Sequence, residues 1–294
     1  MQDLVSIIMP SYNCGKYVEE TIRCVQAQTY KNWEIVFVDD CSTDDTIRIV
    51  NMLREQDKRI RLYQNRGNMG AAVARNHALQ EAKGRWIAFL DSDDLWEPTK
   101  LEKQVRFMEA NGYAFSYTCY EEVDENGISY GVEVRGPQSI TKRGMYAYCW
   151  PGCLTVMYDS ERIGLIQIAN IRKNNDYAMW LKAIEKADCY LLDVCLAKYR
   201  IRSGSISNHS YTTMIKWHYR LFKEAMGLGL VASVIFTVLN LLFGTYKKIV
   251  YRNKVKKQQE MKIQNCPPQI GNNSLGICEI EKQTECLTSW LMAA

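Results

Sequence analysis

The stretch "FLDSDDLWEP", residues 89–98, carries an apolar strand straight into three carboxylates, Asp91, Asp93 and Asp94. Like charges this close disfavour joint ionisation unless a cation or hydrogen bonds offset the repulsion. On a turn leaving a buried strand, alternate carboxylates can both face one hard cation. Oxygen ligands of this kind suit Mg²⁺ or Mn²⁺ rather than a metal that seeks His and Cys. The other reading of the same residues is that Asp91 and Asp94 cap a helix beginning near Pro98.

Working outward, residues 4–9, 34–38, 60–63 and 86–90 are short apolar runs rich in Val, Ile and aromatics, and they read as buried strands. Between them, residues 17–28, 43–54 and 70–82 carry apolar side chains near helical spacing, with Ser42, Thr43 and Asp44 offering caps for the second. Alternating strand and helix predict a mostly parallel sheet with right-handed crossovers. In such sheets ligands sit at the carboxyl ends of the strands. Three polar clusters fall there: Pro10-Ser11-Tyr12-Asn13, Asp39-Asp40-Cys41-Ser42 and Asp91-Ser92-Asp93-Asp94.

Beyond residue 112 the pattern changes. Runs at 114–123 and 128–134 flank Glu125-Asn126-Gly127, a hairpin turn, and a helix over 176–187 precedes a strand over 189–202. Residues 225–246 hold no charge; as a helix they would be about 33 Å long, enough to cross a hydrocarbon core of about 30 Å. Seven Lys or Arg follow between 247 and 262, and a single span from a cytosolic domain would place them outside, against the positive-inside tendency. An interfacial or re-entrant helix on anionic lipid fits those charges better; a spanning helix and a buried helix closing the domain are the alternatives. The last thirty or so residues read as a weakly structured tail.

The net charge of +4, with no basic run interleaved with stacking aromatics in the first two hundred residues, argues against nucleic-acid binding. Eleven cysteines are scattered, odd in number and without a CxxC pair, so reduced cytosolic thiols are expected rather than zinc ligands or a disulfide framework. The N-terminus, with an acidic residue at position 3 and an apolar run stopping at Pro10, does not read as a signal peptide.

The segments "VSIIMPSYNCGKYVEETIRCVQAQTYKNWEIVFVDDCSTDDT" and "NMGAAVARNHALQEAKGRWIAFLDSDDLW" resemble the amino-terminal half of the inverting glycosyltransferases of family 2, which have the GT-A fold and include bacterial polysaccharide and teichuronic-acid transferases. The resemblance is close over residues 4–110 and looser to 208. It implies an α/β GT-A fold with a mostly parallel central sheet flanked by helices. It divides the chain into a catalytic domain at 1–208, with a nucleotide-sugar half at 1–111 and an acceptor half at 112–208, a helical membrane-associated segment at 209–262, and a tail at 263–294.

The same resemblance assigns roles. Tyr12 would stack on the base of the donor, with Pro10 and Ser11 shaping the turn, although an aromatic there is also a packed loop residue. Asp40 would accept hydrogen bonds from base or ribose. Gly70 would let the backbone approach the ligand, and Arg75 would reach the nucleotide or brace the aspartates. Asp91 and Ser92 would lie against the nucleotide sugar, and Asp91 and Asp93 would hold Mn²⁺ or Mg²⁺. The family's acidic pair before a Trp-containing helix corresponds to Asn175-Asp176, which makes Asp176 the general base; by itself it is equally a helix N-cap. Where the family has Glu this chain has Asn175, which puts that residue's acceptor contact in doubt. In "KYRIRSGSIS" the family's His is replaced by Arg202, which cannot ligate a metal and is carried over as a phosphate contact. Trp150 and Trp180 would line the acceptor pocket or pack in the core.

The expected activity is metal-dependent, inverting transfer from a nucleotide-diphosphate sugar, most plausibly a UDP-sugar, to a glycan or lipid-linked acceptor in bacterial surface polysaccharide synthesis. The expected place is the cytoplasm, peripheral on the inner face of the membrane. A nucleotidyltransferase and a non-catalytic nucleotide-sugar-binding module at the membrane are the alternative classes.

Overall fold

In the computed structural model of the protein, which describes residues 3–202 and 211–254, the N-terminal apolar runs form β1 (Val5–Ser11), β2 (Trp33–Asp39), β3 (Ile60–Gln64) and β4 (Trp86–Phe89). The amphipathic stretches between them form α1 (Val18–Gln26), α2 (Thr46–Gln56) and α3 (Ala71–Glu81). Every residue of β1, β2 and β4 is buried, as continuous apolar runs require when helices cover both faces of a parallel sheet. Neighbouring side chains go to opposite faces. Ile8, Val36, Ile87 and Phe89 enter one core, while Ile7, Phe37, Trp86 and Ala88 enter the other. The order β3-β2-β1-β4 is parallel throughout, and its register sets Ser11 beside Asp39. The amide of Leu90 donates to Ile8 O at 3.1 Å, so the acidic turn leaves the sheet next to Pro10.

The second half is mixed. It contains β5 (Leu95–Trp96), α4 (Lys100–Asn111), β6 (Phe115–Val123), β7 (Ser129–Val134), β8 (Ser139–Ile140), α5 (Lys142–Ala147), β9 (Met157–Asp159), α6 (Ser160–Ile163), α7 (Asn175–Ala183) and β10 (Cys189–Arg200). The short β9 runs antiparallel between β4 and β6, and β10 lies parallel to β6 on its other side. The expected hairpin joins β6 to β7, with Gly127 at φ 80° in its turn. Ser42, Thr43 and Asp44 lie in the loop before α2, whose N-cap is Asp45; Asp44 instead accepts from the Gly15 amide at 2.9 Å and ties two site loops together.

After Arg200, α8 (Tyr211–Arg220) passes through a π turn at Leu221–Ala225 into α9 (Leu230–Val250) and the short β11 (Arg252–Lys254). In α9 the buried residues are the polar ones, Ser233, Thr237 and Asn240. Asn240 Nδ2 donates to Tyr177 Oη and to Tyr146 O, each at 3.2 Å, and Lys247 Nζ donates to Trp150 O at 2.6 Å. Leu230, Val231, Val234, Ile235, Val238, Leu242 and Ile249 face outward and are exposed. The buried-helix reading of residues 225–246 is thereby corrected: α9 docks through Ser233, Thr237 and Asn240 and the rings of Phe236, Phe243 and Tyr246, and leaves its remaining apolar side exposed. β11 then pairs antiparallel with β7 and extends the sheet. The tail at 263–294 lies outside the described residues.

Candidate functional site

The carboxyl ends of β1, β2 and β4 surround a hollow of about 670 Å³, whose far wall is formed by the start of α7, the end of β10 and α8. That volume is ordinary for a small-molecule cleft. Pro10, Ser11, Tyr12, Asp40, Arg75, Asp91, Ser92, Asp93, Asp176 and Arg202 all border it. Tyr12 keeps 44% of its surface exposed there. The non-glycine residues with left-handed backbones among those described, Asn13, Cys41 and Asn174, fall on the three loops that meet at the hollow. Such conformations persist where the surroundings over-determine them, and they cluster at functional sites.

Residues 91–94 form a tight turn, with Asp94 N donating to Asp91 O at 3.1 Å. Thr21 Oγ1 donates to Ser92 O at 3.2 Å and to Asp94 O at 3.0 Å, which fixes the turn from α1. Asp94 is buried and accepts from the Arg200 amide at 2.9 Å, while α4 starts at Lys100 behind Thr99; neither Asp91 nor Asp94 is a helix cap. Two arginines answer the charge. Arg75 Nη2 meets Asp91 Oδ1 at 2.5 Å, and Arg202 Nε meets Asp93 Oδ2 at 2.6 Å.

The compensation is incomplete. Burial, followed by the charge of Asp91, pushes the Asp93 carboxyl above its ordinary value, with Arg202 opposing. Burial and then Asp93 push Asp94 well above the usual range. A cation would relieve this excess. Among the described residues no group of three or more His, Cys, Asp or Glu could hold a metal by itself. Mg²⁺ and Mn²⁺ commonly take one or two carboxylates and complete their shell from water and substrate phosphate. Asp91 and Asp93 fit an ion that arrives with a diphosphate, and they do not form an all-protein cage.

Asp176 sits in the first turn of α7 and its Oδ1 accepts from the Tyr177 amide at 2.8 Å. The N-cap is Asn174, at φ 56°, so Asp176 is not the cap. Asn175 also borders the hollow, but it is buried and its side-chain oxygen accepts from Arg75 Nη1. Arg75 is therefore a brace between the acidic turn and α7, and it also borders the hollow.

Asp40 borders the hollow, and its carboxylate accepts from Asn65 Nδ2 at 2.8 Å and from the amides of Met69 at 3.0 Å and Gly70 at 2.6 Å, bonds that shape the loop before α3. Two expectations need correction. Gly70 does not border the hollow; it is needed because its φ of 93° and ψ of 160° lie in a region essentially confined to glycine. Trp180 and Trp150 do not line the hollow either. Trp180 is fully buried, edge-on to Phe89 at 4.9 Å, and Trp150 packs among Tyr148, Phe243 and Tyr251. In both, the apolar bulk of the indole drives burial against other rings.

Arg200 was not anticipated. It is almost fully buried and donates to Asp93 O at 2.7 Å, Glu125 O at 2.8 Å and Glu20 Oε2 at 2.7 Å, clamping the acidic turn to α1 and the β6–β7 hairpin. Its signal was the Tyr-Arg preceding Arg202. Met214, Trp217 and His218 of α8 also border the hollow, and only their i, i+3, i+4 spacing hinted at a shared face.

Residues 6–153 match the family described as Glycosyl transferase family 2. The chain is 44% identical over 209 residues to a Bacillus subtilis (strain 168) protein assigned to teichuronic acid biosynthesis as the glycosyltransferase TuaG, covering 71% of this chain and 83% of that one. It is 41% identical over 218 residues to the Escherichia coli UDP-Glc:alpha-D-GlcNAc-diphosphoundecaprenol beta-1,3-glucosyltransferase WfaP, covering 73% and 84%. Among solved structures, S. aureus TarS 1-349 in complex with UDP-GlcNAc aligns with a TM-score of 0.61 at 23% identity, over 82% of this chain and 72% of that one. The mannosyltransferase PcManGT of Pyrobaculum calidifontis, in complex with GDP-Man and Mn²⁺, aligns with a TM-score of 0.58 at 16% identity, over 84% and 76%. These two likenesses establish the GT-A-like fold.

Proposed function

The chain belongs to glycosyl transferase family 2 and is a glycosyltransferase, and from that premise we propose that it transfers a sugar, with inversion, from a UDP-sugar to a glycan carried on a lipid diphosphate. The setting is bacterial surface polysaccharide synthesis at the cytoplasmic face of the membrane. Family membership sets aside the nucleotidyltransferase alternative. The observation that carries the proposal is that Asp91, Asp93, Arg202 and Asp176 border one hollow.

In this reading residues 1–111 hold the donor, with Tyr12 on the base and Ser92 near the ribose. Residues 112–208 present the acceptor. Asp176 takes the proton from the acceptor hydroxyl as that oxygen attacks the anomeric carbon from the face opposite the diphosphate. The new C–O bond forms as the bond to the phosphate oxygen breaks, and its electron pair leaves with the nucleoside diphosphate. A Mn²⁺ or Mg²⁺ ion held by Asp91 and Asp93 would supply Lewis-acid stabilisation of that leaving charge. Arg202, already 2.6 Å from Asp93, adds a fixed cation suited to phosphate. Arg75 keeps Asp91 and the start of α7 at a constant separation.

Residues 209–262 are assigned to membrane association. α9 is the one helix among the described residues long and apolar enough to cross a bilayer, yet its middle is hydrogen-bonded to the catalytic domain through Asn240. A helix held flat against the domain, with an apolar side outward and the exposed Lys248 at its end, suits the plane of a lipid surface.

The test is a thermal-shift screen of UDP-, GDP-, dTDP- and CMP-sugars with and without Mn²⁺. UDP-sugars are expected to stabilise the protein only with the metal, by about 2.7 kcal/mol at a hundredfold excess over Kd. Stabilisation by none, or by a UDP-sugar regardless of metal, would overturn the donor and metal assignments respectively.

A further inference from the structure

The hollow is lined by groups of two chemical kinds. Arg75, Arg202, Asp91 and Asp93 match a charged diphosphate. α8 contributes a thioether, an indole and an imidazole, and Tyr120 and Tyr199 border the hollow with their rings in edge contact at 6.0 Å. A sugar ring has one face of C–H bonds, and an aromatic plane in a half-polar pocket is the usual complement for an amphipathic ring of that kind.

Among these residues Trp217 is the one built as a platform. It is half-buried, it borders the hollow, and its ring is braced by Arg220, whose guanidinium carbon lies 5.0 Å from the ring centroid. Arg220 is itself held by Glu224 at 2.9 Å. The next residue, His218, donates from Nδ1 to Met214 O at 2.9 Å and packs edge-on to Tyr177, the neighbour of Asp176, with ring centroids 6.5 Å apart. The aromatic face of α8 is thus tied to the residue next to the base. α8 also runs on through the π turn into α9, so the wall of the hollow and the outward apolar side of α9 belong to one continuous segment.

We propose that Trp217 is the acceptor platform: its indole takes the C–H face of the sugar that receives the new linkage and thereby aligns that sugar's hydroxyl with Asp176. The ligand class is the terminal pyranose of a lipid-diphosphate-linked glycan, whose lipid follows α9 while its sugar reaches α8. Trp217 fills the role that Trp150 and Trp180 cannot, because their rings are enclosed by Phe89, Tyr148 and Phe243. The assignment rests on the glycosyltransferase reading above.

The experiment compares the full-length wild-type chain with Trp217→Ala and Trp217→Phe. The probes are N-acetylglucosamine α-linked to undecaprenyl diphosphate in detergent micelles, with UDP-glucose or UDP-N-acetylglucosamine and Mn²⁺. Trp217→Ala is expected to raise the acceptor KM by about tenfold, the scale of one lost aromatic contact, while the donor KM and the thermal shift produced by the UDP-sugar stay put. Trp217→Phe should remain within about threefold of wild type, since a ring is restored. An unchanged acceptor KM in Trp217→Ala, or an equal rise in donor and acceptor KM, overturns the platform while leaving the enzyme reading intact. Failure of Trp217→Phe to recover the acceptor KM, with the UDP-sugar shift intact, also overturns it. Absence of transfer by the wild-type chain with both donors overturns the functional reading itself and the platform with it.

Discussion

Arg75 and Asn175 stand 100 positions apart in the chain and are joined through the guanidinium Nη1 and the amide Oδ1, while the same guanidinium holds Asp91. One side chain therefore sets the distance between the donor turn and the acceptor helix. Arg75→Ala strands a partly buried carboxylate and is expected to lower stability by about 2–3 kcal/mol, the low end for a broken buried pair because Asp91 keeps a third of its side chain exposed. Arg75→Lys cannot reach both partners with fork geometry, so it should keep part of the stability yet lose about tenfold in kcat. Denaturant unfolding and steady-state kinetics check both, and an Arg75→Lys enzyme of full activity would show that the brace is dispensable.

Removing the base separates chemistry from binding. Asp176→Asn should reduce kcat by about a thousandfold, within the range for loss of a general base, without altering the thermal shift given by a UDP-sugar. Retention of more than a tenth of the activity would move the base elsewhere.

In the proposed mechanism Arg202 and the metal ion would share Asp93, which already pairs with Arg202 at 2.6 Å. Chelation with EDTA should abolish the UDP-sugar shift, and added Mn²⁺ should restore it. Arg202→Ala frees the Asp93 oxygen now held at 2.6 Å, so the Mn²⁺ concentration for half-maximal activity should fall while UDP affinity weakens by about tenfold through loss of a charged phosphate contact. Titration of Mn²⁺ against activity decides the first point and isothermal calorimetry the second; a higher Mn²⁺ requirement in Arg202→Ala would contradict shared occupancy.

Lys100 predicts a pH effect away from the site. Its Nζ is fully buried with no hydrogen-bond partner, and burial drives its pKa well below the ordinary 10.5. The Trp96 ring, 3.9 Å away, favours a cation, but one ring face is worth less than full desolvation of an ammonium, so burial wins. The unfolded chain then binds the proton that the folded chain refuses, and stability rises with pH up to the unfolded pKa. Lys100→Met should therefore raise Tm at neutral pH, by about 1–3 kcal/mol of stability, and flatten the rise between about pH 8 and 10. A lower Tm in Lys100→Met would mean that the amine has a partner.

The outward side of α9 should determine lipid binding. Val234→Glu combined with Val238→Glu is expected to reduce co-sedimentation with vesicles of phosphatidylglycerol and phosphatidylcholine by more than about tenfold, with only a weak salt dependence in the wild type, because Lys247 is engaged by Trp150 O and Arg252 by Glu122, leaving the exposed Lys248. Equal sedimentation of wild type and variant would remove the membrane assignment.

The parallel half of the sheet was legible because β1, β2 and β4 are buried on both faces and so are built mainly of Val, Ile, Phe, Met and Trp. The short antiparallel β9 was not, since Met157–Asp159 is too brief to show a period. α4 was obscured differently: Lys100 and Gln104 are polar letters at fully buried positions. At the site, Asp91 and Asp93 could be picked out from where they leave a strand, whereas Asp176 came from the family resemblance, its position alone reading equally as a helix cap. The brace of Arg75 on an aspartate was anticipated, but its link to Asn175 and the partners of Asp40 were not, because each of those bonds closes a long loop whose geometry no local spacing encodes. For Trp150 and Trp180 the sequence left two readings open, as an indole that stacks on a sugar and one that fills a core have the same letter; both fill the core.

The pairing of β11 with β7 has a practical corollary for handling the protein. The carboxy-terminal stretch is not a detachable tether. Cropping the chain before α9 would bare the β7 margin and uncover Tyr146, Trp150 and Phe222 in one stroke. Idle amides beside naked rings invite self-association, so a shortened version meant to be better behaved would clump, and a detergent or lipid mimic added to the intact chain is the sounder route to a workable sample.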